Sequence, residues 1–162
     1  EHMTHLLALR EREPAPMALI VLRIDGLGTV EARRGTESAN VLRRKVAVRL
    51  RAGLRASDVV ASIGADAFAV LLAWIEAPAD GERVAAKLLR VLQQPFAITG
   101  QDAAVAVSAG ISLYPDHGKD ADALLHRAAG LAAGQASAGR VGMTTFVERG
   151  AANAANDDDG ND

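Results

Sequence analysis

A chain of 162 residues, 49% of them hydrophobic, is about one domain of sequence with enough apolar material for a proper core. Its 18 lysines and arginines nearly balance 20 aspartates and glutamates, leaving a formal charge of −2 that argues against general nucleic-acid binding. The absence of cysteine excludes disulfides, thiolate metal sites and a cysteine nucleophile, and favours a cytoplasmic setting. No apolar run approaches the roughly 18–20 residues of a membrane span, so no membrane contact is expected.

Glu1-His2-Met3 reads as the remnant of a cleaved tag, and residues 1–15 as tag remnant and linker. Met17–Leu22 is a continuous apolar run, β-branched in its second half, which predicts a strand buried on both faces. Its polar end, Arg23 to Gly28, is where a site would sit. From Thr36 to Leu54 apolar residues recur at Ala39, Leu42, Val46 and Leu50, a helical spacing. Arg43, Arg44, Lys45, Arg49 and Arg51 fall on the other faces, and without interleaved aromatics they predict a solvated surface rather than a nucleic-acid interface.

Val59–Ile63 and Phe68–Trp74 flank Gly64-Ala65-Asp66-Ala67 and predict a β-hairpin with an exposed tight turn. Ala79–Gln93 predicts a second helix, with Val84, Leu88 and Val91 inward and Pro95 as its stop. Val105, Val107, Ala109, Ile111 and Leu113 alternate as a strand does, and Asp120 is placed to cap a helix whose stripe is Ala121, Leu124, Leu125, Ala128 and Leu131. Met143–Val147 is expected as a last strand. Residues 149–162, rich in Ala, Asn, Asp and Gly, read as a flexible linker. The order βααββαβαβ predicts one α+β domain over residues 16–148, a central, mainly antiparallel sheet wrapped by helices. Aromatics make up 3% of the chain, so little aromatic surface is expected for stacking a base.

Arg55-Ala56-Ser57-Asp58, five residues, then Gly64-Ala65-Asp66-Ala67-Phe68 resembles the signature of the GGDEF family, cyclases that make cyclic di-GMP from two GTP. That signature is a hairpin reading Gly-Gly-(Asp or Glu)-Glu-Phe, preceded in many members by an inhibitory, product-binding Arg-x-x-Asp. The resemblance runs over residues 16–147. Arg23-Ile24-Asp25-Gly26-Leu27-Gly28 falls on the family's Asp-(apolar)-Asp-x-Phe-Lys, and Glu31-Ala32 and Gly35 to Asn40 on its Asn-Asp and Gly-His-x-x-Gly-Asp elements. Val107-Ser108-Ala109-Gly110-Ile111-Ser112 resembles a later strand, and Ala128 to Arg140 the late helix. The resemblance implies the nucleotidyl-cyclase, palm-like fold, and the two ends suggest a piece of a multidomain signalling protein.

The same resemblance implies a damaged catalytic site. The family's metal ligands fall on Arg23 and Asp66, its guanine-reading positions on Glu31 and Asn40, the hairpin Glu on Ala67 and a phosphate-binding Lys on Ala136. Only Asp66 and Arg140 keep the expected chemistry, and both are also ordinary residues for a hairpin turn and a helix end. Asp25 could replace a metal ligand only if its strand runs on past Arg23, and Gly26 argues against that. No metal, cofactor or catalytic residue is therefore expected. His2, His5, His117 and His126 have no metal-ligand spacing.

Arg55 and Asp58 keep both identity and distance from the hairpin. An Arg fork can donate to the O6/N7 edge of guanine while a carboxylate accepts from N1–H and N2–H. The family completes this site with a basic residue from the next helix, for which Lys87 is the first candidate and Arg83 the second. Three readings stay open: a non-catalytic module that senses cyclic di-GMP, a dimerisation or interaction module that regulates a neighbouring domain such as an EAL phosphodiesterase, and a residual cyclase or GTP sensor.

Overall fold

In the computed structural model the described residues are Thr4, 15–98 and 100–137. The chain forms β1 (Met17–Asp25), α1 (Leu27–Arg34), α2 (Thr36–Ala52), β2 (Val59–Ser62), β3 (Ala67–Leu72) and α3 (Pro78–Leu92). It continues with β4 (Phe96–Ile98), β5 (Gln101–Ala103), β6 (Ala106–Tyr114) and α4 (Ala121–Ser137). β2, β3, β1 and β6 lie in that order in one antiparallel sheet, and β4 and β5 pair as a separate hairpin. The fold is α+β, as the sequence predicts. Among the described residues no helix is long and apolar enough to cross a membrane.

Period-two geometry explains why β1 is apolar from Met17 to Leu22. Ala18, Ile20, Leu22 and Ile24 face the cluster that includes Leu42, Val46 and Leu50 of α2 and Leu88 and Leu89 of α3. Met17, Leu19 and Val21 face the other way, into clusters with Leu124, Ala128 and Ala132 of α4. The sheet is thus covered on both sides along Met17–Leu22, and β1 meets solvent only at its polar end, Arg23 and Asp25.

α4 seats closely because Gly110 of β6 lies beneath it. A Cβ at Gly110 would sit 2.2 Å from the Ala128 carbonyl oxygen and 2.7 Å from the Ala132 nitrogen. Asp120 caps this helix as expected, its Oδ1 accepting the Ala123 N–H at 2.7 Å. The buried stripe is Leu124, Ala128, Ala132 and Gln135, with Leu131 only half-buried. On α3 the inward residues are Gly81, Ala85, Leu88, Leu89 and Leu92. Val84 and Val91 flank that stripe half-buried, so the face is rotated from the predicted one.

Three other expectations change. β1 runs through Asp25, because the Ile24 N–H donates to the Asp66 carbonyl at 2.7 Å and β6 pairs as far as Asp25 with Ala106, so Gly26 ends the strand after Asp25 rather than before it. The β4–β5 hairpin was not expected, since each strand has three residues, too few for a periodic pattern. The basic face of α2 is not simply solvated. Arg49 donates to the carbonyls of Val91, Gln94 and Pro95 at 2.5–3.1 Å and stacks 3.6 Å over the Phe96 ring, fastening the end of α3 to α2. Arg44 does remain exposed, near Glu37 at 3.8 Å. The predicted strand Met143–Val147 and the segment 149–162 lie outside the described residues, as do residues 1–3 and 5–14.

Candidate functional site

The β2–β3 hairpin carries a candidate site at each end. Its turn is closed by the Ile63 N–H donating to the Ala67 carbonyl at 2.9 Å, with Gly64 at φ +76°, a conformation that favours glycine. Gly64, Ala65 and Asp66 are exposed there, as the sequence predicts. Strand register sets Arg23 directly opposite Ala67. Because β1 continues, Arg23 and Asp25 share a face, and the Arg23 Nε lies 3.6 Å from the Asp25 Oδ1. Asp25 therefore stands beside the guanidinium rather than apart from it.

Helix α2 reaches the same turn. Arg43 donates from Nε to the Ala65 carbonyl and from Nη1 to the Asn40 Oδ1, each at 2.7 Å. The Glu31 carboxylate accepts from the Thr36 hydroxyl at 3.0 Å. Asn40 and Glu31, predicted remnants of a base-reading pair, are thus engaged in local structure. Among the described residues there is no group of three or more His, Cys, Asp and Glu that could hold a metal ion. Ala136 lies on α4, and Arg140 lies outside the described residues. His117 accepts the Leu113 N–H on Nδ1 at 2.9 Å, a loop role, and His126 is exposed.

At the other end, Arg55, Asp58, Arg83 and Lys87 all line one cleft of about 690 Å³, together with Trp74 and Asp80. The structure brings together the four residues predicted for ligand binding. Arg51, in the last turn of α2, shapes the loop by donating to the carbonyl oxygens of Asp58, at 2.7 Å, and Arg55. The Asp58 Oδ2 accepts the Arg55 N–H at 3.0 Å and lies 3.9 Å from the Arg55 Nε. Arg55 is steadied further by donating from Nη2 to the Trp74 carbonyl at 2.8 Å. Lys87 reaches back from α3 to the Gly53 carbonyl at 3.0 Å, which leaves two of its three ammonium protons for other acceptors.

Asp58 is 4% exposed, and its Oδ1 is buried without a hydrogen-bond partner. A buried carboxylate oxygen in that state is a strong acceptor waiting for an N–H or O–H. Nearby, Asp80 accepts the backbone N–H groups of Glu76 and Ala77 at 2.8 and 3.0 Å and pairs with Arg83. The two backbone bonds first, and Arg83 in addition, hold its carboxyl below the usual carboxylate range. Arg55, Arg83 and Lys87 are matched by Asp58, Glu76 and Asp80, so the formal charges lining the cleft cancel. Recognition here depends on directed donors and acceptors, not on bulk charge.

Sequence reasoning missed Trp74, which lines this cleft and is 53% exposed, and so underestimated the aromatic surface available to a base. The signal was present: it is the chain's only Trp, two residues beyond the end of β3, whose residues Phe68–Leu72 are all buried. Arg51 was also missed, since it acts through backbone carbonyls that no side-chain motif encodes, and so was Asp80, although its place in the first turn of α3, three residues before Arg83, is readable in the sequence.

The family described as "Diguanylate cyclase, GGDEF domain" matches residues 1–140. Diguanylate cyclase TpbB of Pseudomonas aeruginosa is 36% identical over 124 residues, which cover 75% of this chain and 28% of that protein. The bifunctional diguanylate cyclase/cyclic di-GMP phosphodiesterase MucR of the same species is 34% identical over 124 residues, 72% of this chain and 18% of that protein. The chain thus spans less than a third of the length of these curated relatives. The crystal structure of the TpbB GGDEF domain is similar with a TM-score of 0.82 at 28% identity, covering 90% of each chain.

Proposed function

The chain belongs to the GGDEF family of diguanylate cyclase domains, and from that premise we propose that it is a catalytically inactive regulatory domain of cyclic di-GMP signalling whose working site is the Arg55–Asp58 cleft. The observation that carries the proposal is the contrast between the hairpin's two ends. At the turn, a guanidinium and a methyl group face each other across the strands where metal chemistry needs carboxylates. At the far end, every predicted ligand-binding side chain lines one cleft.

Joining two GTP molecules requires divalent cations to neutralise triphosphate charge and activate the attacking hydroxyl. The residues at the turn do not fit such a cation. Two unit positive charges about 4 Å apart repel by about 4 kcal/mol even at an effective dielectric of about 20, and a divalent ion doubles that. Asp25 offsets part of the Arg23 charge, but that engages its carboxylate with Arg23 instead of a metal. Asp66 supplies one carboxylate, and among the described residues no second one on the Arg23 edge is free of an ion pair. Substrate reading is impaired as well, with Glu31 presenting an anion where a nucleotide would enter and Asn40 tied to Arg43.

The cleft has the opposite character. Its Arg55 fork matches the O6/N7 acceptors of guanine, and the unpartnered Asp58 Oδ1 matches N1–H and N2–H. Lys87 and Arg83, which line the same cleft, would supply donors to phosphate oxygens or a second base. Calorimetric titration with cyclic di-GMP tests this directly. Saturable binding that Arg55→Ala weakens by about 5- to 150-fold is expected, the range for a bidentate guanine contact. Binding unchanged by Arg55→Ala and Asp58→Ala would place the ligand elsewhere.

One observation favours a second reading. Because the chain spans 18% of a relative named as both cyclase and phosphodiesterase, it corresponds to one module among several. In that reading it dimerises or positions a neighbouring domain such as an EAL phosphodiesterase, and no ligand is needed. Absence of any binding to the unaltered chain would favour it. A residual cyclase or GTP-sensing role is the weakest of the three, and GTP with Mg²⁺ in the same titration addresses it.

A further inference from the structure

We infer that Trp74 is a stacking platform for a purine base in the Arg55–Asp58 cleft, and so a specificity-determining residue of that site. The inference deepens the cleft reading and rests on it. Three observations converge. Trp74 is one of two large apolar residues exposed among those described, at 53%, and it is among the residues that line the cleft. Its backbone carbonyl holds the Arg55 guanidinium at 2.8 Å, which fixes the donor fork relative to the residue that carries the indole. Asp58, 96% buried, leaves its Oδ1 without a partner in the same cleft. Fork and carboxylate address the edge of a planar base. Neither covers its face, and an indole is the side chain that would.

The chemistry sets an order of ligands. A guanine offers acceptors to Arg55 and N–H donors to Asp58 while stacking on the indole; an adenine lacks the N1–H and the O6. Stacking alone is indifferent to the base, since every base has a π-face. Trp74 should therefore add affinity to any purine held there, while Arg55 and Asp58 choose among purines.

The experiment uses the 162-residue chain with its single Trp as an intrinsic probe. Cyclic di-GMP is titrated while Trp74 emission and its quenching by acrylamide are recorded, with calorimetry in parallel as a readout that needs no fluorophore. A saturable change in emission and loss of acrylamide access are expected, with a midpoint equal to the calorimetric one. Trp74→Ala should weaken calorimetric binding by about 5- to 150-fold, the range for removing one base–aromatic stack, and Trp74→Phe should recover most of it. Calorimetric binding with unchanged emission and undiminished affinity in Trp74→Ala would overturn the stacking role and leave the cleft reading standing. No calorimetric binding to the unaltered chain would overturn both. Because the emission arm uses the unaltered chain, it decides the question even if Trp74→Ala fails to fold.

Discussion

Replacing Asp58 with alanine should separate ligand binding from fold stability, because the native carboxylate's two oxygens offset each other in the free protein and both contribute favourably once ligand is bound. In the free protein its Oδ2 stabilises the loop by accepting the Arg55 N–H at 3.0 Å, a bond to a charged group worth about 1.5–3 kcal/mol. Its Oδ1, buried and unpartnered, costs about 1–3 kcal/mol in lost hydration. Alanine removes both, so the net change in unfolding free energy should lie within about 2 kcal/mol of zero. With ligand bound, the Oδ1 has found its donor, and alanine then forfeits a charge-assisted bond of about 1.5–3 kcal/mol, or about 10- to 150-fold in affinity. Urea unfolding measures the first quantity and calorimetric titration with cyclic di-GMP the second. Asp58→Asn sharpens the test, since its amide oxygen can still accept the Arg55 N–H while its NH₂ replaces Oδ1 and meets the ligand's own donor. It should bind as weakly as Asp58→Ala. Loss of about 3 kcal/mol in stability with unchanged affinity would refute the reasoning and make Asp58 a staple of the loop.

Arg23→Asp should yield no cyclic di-GMP from GTP with Mg²⁺ or Mn²⁺, because Glu31, Asn40, Ala67 and Ala136 remain altered; product above a no-enzyme control by chromatography would contradict this. Gly110→Ala should destabilise by about 3 kcal/mol, the upper range for overpacking, because the new methyl meets the α4 backbone; an unchanged urea midpoint would mean that α4 does not sit on β6. Asp80→Asn should lower the melting temperature at neutral pH and flatten the acid limb of the stability profile. The Asp80 carboxyl is held below its unfolded value, so its contribution is present above the ordinary carboxylate range and is lost as pH falls through its folded pKa. Identical acid limbs in the two proteins would remove Asp80 from that role.

Long periodic segments were legible because burial imposes the period. α2 carries a 3.6-residue spacing and β6 a 2.0-residue alternation, and β1, a continuous apolar run, is read as a strand from its shortness and its β-branched second half, so their existence and type follow from sequence. The β4–β5 hairpin was not legible. Three residues per strand cannot show a period, and the anchor that holds the preceding turn, Arg49 on the Val91, Gln94 and Pro95 carbonyls, is 42–46 residues away in sequence. Arginines aimed at backbone carbonyls look the same in sequence as arginines aimed at water. For the candidate site, residue types were readable at Arg55, Asp58, Arg83 and Lys87, since motif spacing and helix phase place them. The state of Asp58 was not: burial of one carboxylate oxygen without a partner depends on Arg51 and Trp74 fixing the loop around it. Asp25 was misread for a related reason, because the end of β1 is decided by the Asp66 carbonyl across the sheet and not by the glycine that follows.

Geometry explains how one end of the hairpin can lose its chemistry while the other keeps it. From Asp58 to Gly64 is six residues, about 20 Å at the rise of an extended strand. The turn is supported by Arg43 of α2 and by the end of β1. The cleft is supported by Arg51 at the end of α2, by the loop after β3 and by α3. These two sets of contacts share no side chain, so substitutions at the turn more than about 10 Å away should be nearly additive with those in the cleft. Arg23, Ala67 and Glu31 therefore bear on what can occur at the turn without weakening the placement of Arg55, Asp58 and Trp74. The rigid ribbon between them, Val59 paired with Leu71 through Ser62 with Phe68, is common to both ends. A ligand at the cleft can influence a neighbouring domain only by biasing an element that reaches it, and α3 is the element best placed: it carries Arg83 and Lys87 on the cleft side and buries Leu88 and Leu89 in the main core.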